Sequence, residues 1–347
     1  MSTTVSGSLS NQWIQCRKEQ PRLRIRDAAR SMGVSEAALL ASFAGTSVIR
    51  LRPEFGALLT QMPTLGKIMC LTRNEACVQE RKGVFGSVDV SNKQVGLVVG
   101  EEIDLRLFFS AWAFAFAVLD DDAAGFKNSI QFFDQQGEAV LKVYLTNESD
   151  PGEFEKMIRA FATSQQEKTI QVMPPKPAPV YKDEDLDVDL FRAEWAALKD
   201  THDFFPLLRK FSISRLGALK NAGPFAKELQ TGVVQELLET AAREQWQLMV
   251  FVGNQGAIQI YTGEVQKIVA IPGWINVMDP DFNLHIKTTA IASAWLVKKP
   301  TVDGLVHSLE VFDAAGELLV QFFGKRKPGM PESEQWRRGI IKTSDRC

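Results

Sequence analysis

The sequence predicts an α+β protein made of two similar halves, each with a large antiparallel β-sheet flanked by helices. Residues 128–145 and 307–324 align without a gap at an offset of 307 − 128 = 179. This period far exceeds the roughly 20–50 residues of a solenoid repeat, so the alignment indicates a duplicated domain. A second block recurs at an offset of 249 − 69 = 180, where Met69, Asn74, Gln79 and Gly83 are repeated as Met249, Asn254, Gln259 and Gly263.

Short apolar runs, rich in β-branched and aromatic residues and separated by turn residues, predict antiparallel strands in both halves. The loops 134–137 and 313–316 each end in a glycine, as a hairpin that needs a positive φ requires. In the first half the predicted strands are 68–71, 95–99, 103–109, 112–119, 130–133 and 139–145. In the second half they are 247–251, 258–261, 274–278, 284–288, 291–297, 308–312 and 317–323.

Helices are predicted before and between these runs. Residues 22–46 form two short helices broken at 32–35, with Ser35 as the N-cap of the second. This pattern resembles a helix-turn-helix and leaves a DNA-binding regulator open, although the extra basic or amide residues of a base-reading helix are missing. The remaining predicted helices are 153–163, 190–199, 202–210, 215–220 and 231–243.

The organisation along the chain follows from the repeat and from one change in composition. Residues 165–189 contain four prolines followed by an acidic run, which is typical of a linker that is stiff where proline dominates. The expected parts are therefore an N-terminal repeat over residues 1–164, this linker, and a C-terminal repeat over residues 190–347.

Composition and charge exclude several classes of function. With 347 residues, 45% hydrophobic and 24% charged, the chain is ordinary globular material with a net charge of −2, which gives no general attraction to nucleic acid. The first residues lack the basic and apolar segments of a secretory signal, so export by that route is not expected. The longest apolar run, 107–119, is too short to span a membrane and is interpreted as buried strand. The four cysteines, Cys16, Cys70, Cys77 and Cys347, show no metal-binding spacing, which suits reduced thiols in a cytoplasm.

The chain has only three histidines. His307 aligns with Asn128 at a strand start and is expected at the surface, whereas His285 is expected to be a structural residue. His202 precedes an aromatic helix start in the sequence KDTHDFF. A neutral imidazole beside aromatic side chains suits a haem iron, because the macrocycle needs an apolar slot and the metal a basic nitrogen. A helix-capping or half-buried histidine remains the alternative.

Seven segments together resemble the bacterial haem-utilisation proteins called hemin-degrading factors, which are encoded with haem-uptake systems. The resemblance runs in order from about residue 20 to the end of the chain. The segments are LTRNEACVQE near 71, IDLRLFFSAWAFAFAV near 103, SIQFFDQQGEAVLKVYL near 129, THDFFPLL near 201, MVFVGNQGAIQIYTG near 249, INVMDPDFNLHI near 275 and SLEVFDAAGELLVQFFGKRKPGMPE near 308.

The resemblance implies a protein that holds haem b, iron protoporphyrin IX, between its halves, with His202 as the iron ligand. Arg106 would lie over the opposite face, where a guanidinium could act in catalysis by holding water or polarising bound O2. Phe323 stands where some relatives have Tyr, which removes a hydroxyl from the pocket wall. Other residues near the pocket would be Gln321 and the propionate-binding candidates Arg215, Lys299 and Arg326.

Two functions are compatible with this site. In the first, a cytoplasmic carrier receives haem from an importer and passes it to a separate haem oxygenase or a reductase-dependent system for iron release. In the second, the protein itself opens the haem ring, with O2 and a reductant. We favour the carrier, because the sequence shows a single-histidine site and no motif for an electron-transfer partner. No nucleic-acid partner and no membrane-spanning segment are expected.

Overall fold

The computed structural model describes residues 8–175, 177, 179–327 and 329–344. The predictions about the start of the chain and about Cys347 concern residues outside these ranges. Within them, Cys16, Cys70 and Cys77 are free thiols. Burial raises the pKa of both Cys70 and Cys77, so neither is poised as a nucleophile.

The first half of the chain begins with helices and continues as a succession of strands. Its helices are α1 (Leu9–Glu19), α2 (Ile25–Ser31), α3 (Glu36–Ala41), α4 (Phe55–Gln61) and α5 (Pro151–Phe161). Its strands are β1 (Val48–Leu51), β2 (Gly66–Arg73), β3 (Cys77–Gly83), β4 (Ser87–Asp89), β5 (Val95–Val99), β6 (Asp104–Phe108), β7 (Trp112–Val118), β8 (Ser129–Asp134) and β9 (Ala139–Ser149).

The second half repeats this plan. Its helices are α6 (Val188–Ala196), α7 (Phe204–Phe211), α8 (Arg215–Asn221), α9 (Val233–Glu244) and α10 (Glu334–Ser344). Its strands are β10 (Ala226–Leu229), β11 (Leu248–Gly253), β12 (Ala257–Gly263), β13 (Ile268–Ile271), β14 (Trp274–Met278), β15 (Phe282–Lys287), β16 (Ser293–Thr301), β17 (Gly304–Phe312) and β18 (Leu318–Gly324).

The described residues form two compact units. Unit 1 contains the residues up to Arg73, those from Glu80 into the linker, and Asn254–Gln259. Unit 2 contains Asn74–Gln79, the residues from the linker to Gly253, and those from Ile260 onward. Each unit therefore includes a short segment that comes from the other half of the sequence.

The two units have the same strand order, which confirms the predicted duplication. In unit 1 the antiparallel order is β1-β7-β8-β9-β2, with a second run β4-β5-β6. In unit 2 it is β10-β16-β17-β18-β11, with a second run β13-β14-β15. The register is also repeated, because Gln131 faces Lys142 in the first copy and Glu310 faces Gln321 in the second.

Helices cover both faces of each five-stranded run. Successive strand residues point to opposite faces, so Phe132 packs with α4 and α5 while Phe133 packs with α1, α2 and α3. In unit 2 the equivalent of Phe133 is Phe312, which packs with α6, α7 and α8. The other face of that sheet is covered by α9 and α10, which carry Leu237 and Trp336. The predicted α+β class is thus confirmed.

Two asparagines hold the exchanged segments in place. The Asn74 amide donates to the carbonyls of Gly253 (3.2 Å) and Leu319 (2.8 Å), and its Oδ1 accepts from the backbone of Ala76 and Cys77, all within unit 2. In unit 1 Asn254 repeats this pattern. Its amide donates to the carbonyls of Arg73 (3.0 Å) and Val140 (2.9 Å), and its Oδ1 accepts from Gly256 and Ala257.

Hydrogen bonds attach the two ends of the linker to units 1 and 2, respectively. The side chain of Gln166 accepts from the backbone of Arg50 at 2.7 Å in unit 1. In unit 2 the carboxylate of Asp183 accepts from the backbone N–H (2.8 Å) and the hydroxyl (2.6 Å) of Ser214, the N-cap of α8. The acidic run therefore helps to position α8.

The prediction of a surface position for His307 is wrong. Its side chain is only 4% exposed, and Nδ1 lies 2.5 Å from Oε1 of Glu332. The indole N–H of Trp336 in α10 donates to the His307 carbonyl at 3.0 Å. Residues that follow β18 therefore cover this strand, which a comparison with Asn128 in the other copy does not reveal.

Two further interpretations can be compared with the structure. The apolar run 107–119 contains the end of β6 and the whole of β7, as the predicted strands 103–109 and 112–119 indicate, with a 3-10 turn at Phe109–Ala111 between them. The helix-turn-helix pattern is real, with Ser35 capping α3, but α3 buries five of its six residues and so presents little surface to a DNA groove. Among the described residues, no helix is both long enough and apolar enough to cross a bilayer.

We expect Asn74→Ala to lower the free energy of unfolding by about 3 kcal/mol. Each lost side-chain hydrogen bond contributes about 1 kcal/mol, and the substitution leaves backbone groups without partners. Urea unfolding followed by circular dichroism measures this change, and Asn254→Ala should give a similar value. The control is Asn11→Ala on the exposed face of α1, which should change stability by less than about 0.5 kcal/mol. Equal effects of Asn74→Ala and the control would contradict the prediction.

Candidate functional site

His202 lies in unit 2 on a 3-10 turn, Thr201–Asp203, that leads directly into α7. Asp200 is the N-cap of this turn, and its carboxylate accepts from the backbone N–H of His202 at 2.8 Å. Asp203 closes a reciprocal capping box by accepting from the Asp200 N–H at 3.0 Å. The two aspartates therefore fix the backbone from which the imidazole projects.

The imidazole of His202 is presented to the surface in a defined orientation. Its side chain is 93% exposed, and Nδ1 lies 2.6 Å from Oδ1 of Asp200. The hydrogen bond from the His202 backbone lowers the pKa of Asp200, so the carboxylate is ionised and can only accept. Nδ1–H is therefore the donor of this hydrogen bond, and in a neutral imidazole Nε2 is the nitrogen with the free lone pair.

Two aromatic residues follow His202 closely in the chain. Phe204 is buried, whereas Phe205 is 56% exposed. The guanidinium of Arg215, the first residue of α8, lies over both rings, at 5.2 Å from the centroid of Phe204 and 5.5 Å from that of Phe205. A short segment of unit 2 thus carries the imidazole and, three residues further on, an exposed aromatic ring over which a cation lies.

The carboxylate of Glu310 on β17 joins three of the predicted site residues. Arg215 donates to it from Nε (2.7 Å) and Nη2 (2.9 Å), Lys299 from Nζ (2.5 Å), and Gln321 from Nε2 (3.1 Å). Glu310 is fully buried, and Lys299 is nearly so. Two cations and one anion leave this cluster with one net positive charge.

The pKa values in the cluster reflect burial and charge. Burial opposes ionisation of Glu310, but the neighbouring Arg215 and Lys299 outweigh it and hold its pKa well below the usual range. Burial lowers the pKa of Lys299 to about 8, with Glu310 opposing that shift and Arg215 adding to it. The Lys299 ammonium also lies 4.5 Å from the centroid of the Phe204 ring. We infer that Lys299 remains mainly charged at neutral pH.

The other two predicted residues of unit 2 are Phe323, on β18, and Arg326, which follows that strand. The ring of Phe323, which faces Ser308 across the β17–β18 pair, contacts Phe251 edge to face at 5.1 Å. Arg326 lies 3.5 Å from the carboxylate of Asp303 and is within electrostatic reach of Asp200. Arg326 is therefore linked by charge to the carboxylate that orients His202.

Arg106 lies in unit 1, on β6. Its guanidinium pairs with Asp104 and also donates to the carbonyl of Leu105 at 3.2 Å. The side chain is 35% exposed. Burial raises the pKa of Asp104, and Arg106 opposes that shift. Arg106 is thus held in a fixed position on its own strand.

Unit 1 contains a charge cluster that corresponds to that of unit 2. Glu36 is the first residue of α3 after its serine cap, as Arg215 is the first residue of α8 after its own. The buried carboxylate of Glu36 pairs with Lys142 on β9 and, at 3.2 Å, with Arg73. Burial raises its pKa, but the two cations outweigh that effect and lower it to about 2. In unit 1 the acid is on the helix and both cations are on the sheet, whereas in unit 2 the acid is on the sheet and one cation, Arg215, is on the helix. Each cluster has one excess positive charge.

Comparison with known proteins decides the family. The profile of the haemin-degrading HemS.ChuX domain matches residues 33–161 and again residues 212–342. The chain belongs to the HemS.ChuX family. One match in each half agrees with the duplicated fold.

Individual members of the HemS.ChuX family match over nearly their full lengths. The hemin transport protein HmuS of Yersinia pestis is 37% identical over 340 residues, which are 97% of this chain and 98% of that protein. Holo-PhuS, a heme-binding protein from Pseudomonas aeruginosa, has a TM-score of 0.93 at 47% identity and covers 96% and 97% of the two chains. ChuS, an E. coli heme oxygenase, has a TM-score of 0.87 at 32% identity and covers 97% and 99%.

Two acidic residues of the site have roles that the sequence did not reveal. Glu310, which organises the unit 2 cluster, was not predicted, and Asp200, which orients His202, was interpreted only as part of a helix start, a role that its N-cap position confirms. A signal for Glu310 was present in the internal alignment, where an ionisable residue replaces the neutral Gln131 at an inward-facing strand position. Positions at which two copies of a fold differ in charge are therefore candidates for functional residues.

We expect the stability contributed by Glu36 to fall as the pH falls. Its pKa is about 2 in the folded chain and near 4.5 when unfolded, so between these values the unfolded chain binds more protons and acid favours unfolding. The difference in unfolding free energy between the unsubstituted protein and Glu36→Gln should shrink by about 2 kcal/mol from pH 5 to pH 3. Urea titrations at each pH test this. Glu155→Gln, at an exposed position of α5, should give a nearly constant difference.

Proposed function

We propose that this chain is a cytoplasmic haem-binding protein that receives imported haem b and passes it on for iron release. The imidazole of His202, exposed and oriented by Asp200, is the observation that carries the proposal. Relatives support it, since HmuS is a hemin transport protein and PhuS a heme-binding protein.

The arrangement at His202 suits an iron ligand. Histidines that bind metals commonly donate their second ring N–H to a carboxylate, which fixes the tautomer and makes the ligating nitrogen more basic. Asp200 accepts from Nδ1 in this way and leaves Nε2 for the iron of haem. The exposed ring of Phe205 would pack against the macrocycle, whose faces are apolar.

The positive charges of unit 2 suit the two propionates of haem. Arg215 uses two of its nitrogens on Glu310 and has further donors, and its cluster keeps one net positive charge. We propose Arg215 and Arg326 as the propionate partners. Lys299 is too deeply buried to reach a ligand at the surface, so we propose that it acts through Glu310 by holding Arg215 and Gln321 in place.

The remaining assignments rest mainly on the family resemblance. Phe323 would contribute an apolar wall, since its ring contacts Phe251 and carries no hydroxyl. Arg106 as the residue over the opposite face of the haem stays a prediction. Its rigid attachment to Asp104 would suit a donor that must keep its position.

A second function, haem degradation, is favoured by a specific observation. ChuS is a heme oxygenase, and the profile that matches both halves is named haemin-degrading. In that case the haem and O2 would supply the oxidative chemistry, and this chain would bind and orient the ring. The carrier role implies partners, an importer and a separate oxygenase or reductase, whereas degradation implies an electron donor.

We expect His202→Ala to shift the Soret maximum of the hemin complex and to weaken hemin binding at least 10-fold, because the iron loses its protein nitrogen. Asp200→Asn should weaken binding less, within the roughly 10–100-fold range of partners that orient a ligand. Absorbance titration with hemin measures both. The matched control is His285→Ala, whose imidazole bonds to Asn276. A normal spectrum for His202→Ala with a shifted one for His285→Ala would reassign the ligand.

The carrier and enzyme functions predict different fates for bound haem. We expect the Soret band to persist when the hemin complex is mixed with a reductase, its reduced nicotinamide and catalase in air, because a carrier protects its cargo. Catalase removes peroxide, so bleaching by peroxide does not contribute. Decay of the band into a bilin-like spectrum, slowed in Arg106→Ala, would instead establish ring opening.

A further inference from the structure

Unit 1 contains a cavity of about 250 Å³ that the proposed haem site does not use. It lies between the sheet strands β7, β8 and β9 and the α1–α2 region, and all of its lining residues belong to unit 1. Five lining side chains are cationic, and no carboxylate of the described residues lines it. The cations are Arg17, Arg22, Arg24, Lys127 and Lys142.

Nearby acids neutralise only part of this charge. Lys142 pairs with Glu36, but Arg73 pairs with the same carboxylate, so one positive charge remains. Lys127 is 3.5 Å from Asp122, and both side chains are exposed, so water screens that pair. Arg24 is within electrostatic reach of Glu80. The wall of the cavity therefore has an excess of positive charge that is available to a ligand.

The backbone around the cavity is shaped to hold one of these cations. Gly125 has a φ of +67°, and a Cβ at this position would overlap the guanidinium of Arg17. Arg17 also lies 5.8 Å from the centroid of the Trp13 ring and donates to the carbonyl of Pro21 at 2.5 Å. The indole N–H of Trp13 is in turn bonded to the Ala124 carbonyl at 3.0 Å. The contact with the Trp13 ring and the absence of a side chain at Gly125 therefore let the Arg17 guanidinium occupy this place in the cavity wall.

The cavity occupies the position in unit 1 that corresponds to the Glu310 cluster in unit 2. Gln131 and Lys142, which line it, face each other across β8 and β9 as Glu310 and Gln321 do across β17 and β18. In unit 2 Glu310 neutralises one of the two cations that pair with it, and in unit 1 Glu36 does the same for Lys142 and Arg73. The additional positive charge of the cavity therefore comes from its other lining cations, Arg17, Arg22, Arg24 and Lys127.

We propose that this cavity binds a compact polyanion, a small molecule with at least two phosphate or carboxylate charges. Guanidinium groups form paired, charge-assisted hydrogen bonds with both kinds of anion. The volume lies below the roughly 300–1,000 Å³ of pockets for drug-sized ligands, so the occupant is much smaller than a porphyrin. The site is separate from His202 and does not depend on the proposed haem function.

Calorimetry on the full chain tests the proposal with pyrophosphate and citrate as separate probes, at constant ionic strength set with sodium chloride. We expect at least one probe to bind, and the two titrations distinguish a phosphate from a carboxylate ligand. The double variant Arg22→Gln/Arg24→Gln should weaken binding at least 10-fold. The matched control Lys156→Gln/Arg159→Gln removes the same charge from the exposed side of α5 in the same unit and should change affinity less than 2-fold.

A third variant separates cavity geometry from net charge. Gly125→Ala leaves every charge in place but displaces Arg17, so it should also weaken binding of the anion while hemin titration stays unchanged. The proposal is overturned if neither anion binds, if the control double variant loses as much affinity as the cavity variant, or if hemin competes with the bound anion. Thermal unfolding of each variant confirms that the compared proteins are folded.

Discussion

A carboxylate buried among cations is the constraint on which the rest of the candidate site depends. Glu310 lies inside unit 2, where an uncompensated charge would cost several kcal/mol. Arg215 from α8, Lys299 from β16 and Gln321 from β18 all bond to it. One acid therefore joins three elements that have no covalent connection near the site. Because breaking such a cluster is far more costly than breaking a surface pair, these elements hold a fixed geometry.

This rigidity matters for the turn that carries His202. Arg215 stacks on Phe204 and Phe205, which follow that turn directly, so the Glu310 cluster also positions the start of α7. The turn adds its own restraint through Asp200 and Asp203. The imidazole and the two aspartates of its turn are exposed, whereas the Glu310 cluster that supports the start of α7 is buried. A side chain held in this way does not need to rearrange when a ligand binds. Preorganisation of this kind lowers the entropy cost of binding.

The fold could be predicted from the sequence because its signals are local and repeated. Strands such as β5 and β14 were predicted with their exact ends, since alternating apolar residues and turn residues mark them directly. The missed elements lack such marks. β4 and β13 are short and largely exposed, and α10 follows a polar segment, so its burial of Trp336 and Ile340 is visible only in three dimensions. The error at His307 has the same origin, because its partner Glu332 is 25 residues away.

The site was predictable only where an internal or family comparison supplied the signal. His202, Arg215 and Gln321 were named from their motifs, and the structure brings the last two onto one carboxylate. The link between Glu310 and Lys299 depends on strand register, which sets the two side chains on the same face of neighbouring strands. A sequence without coordinates does not define that register.

The segments that the units take from the opposite half of the chain have a consequence for how the protein is made. Unit 1 needs Asn254–Gln259, which a ribosome adds long after the rest of that unit has emerged. At roughly 5–20 residues per second, the gap from the linker to residue 259 lasts several seconds. During this delay Asn254 is not yet there to bond the carbonyls of Arg73 and Val140. Unit 1 therefore remains incomplete during this interval. Both units can complete their folding only after most of the chain has been translated.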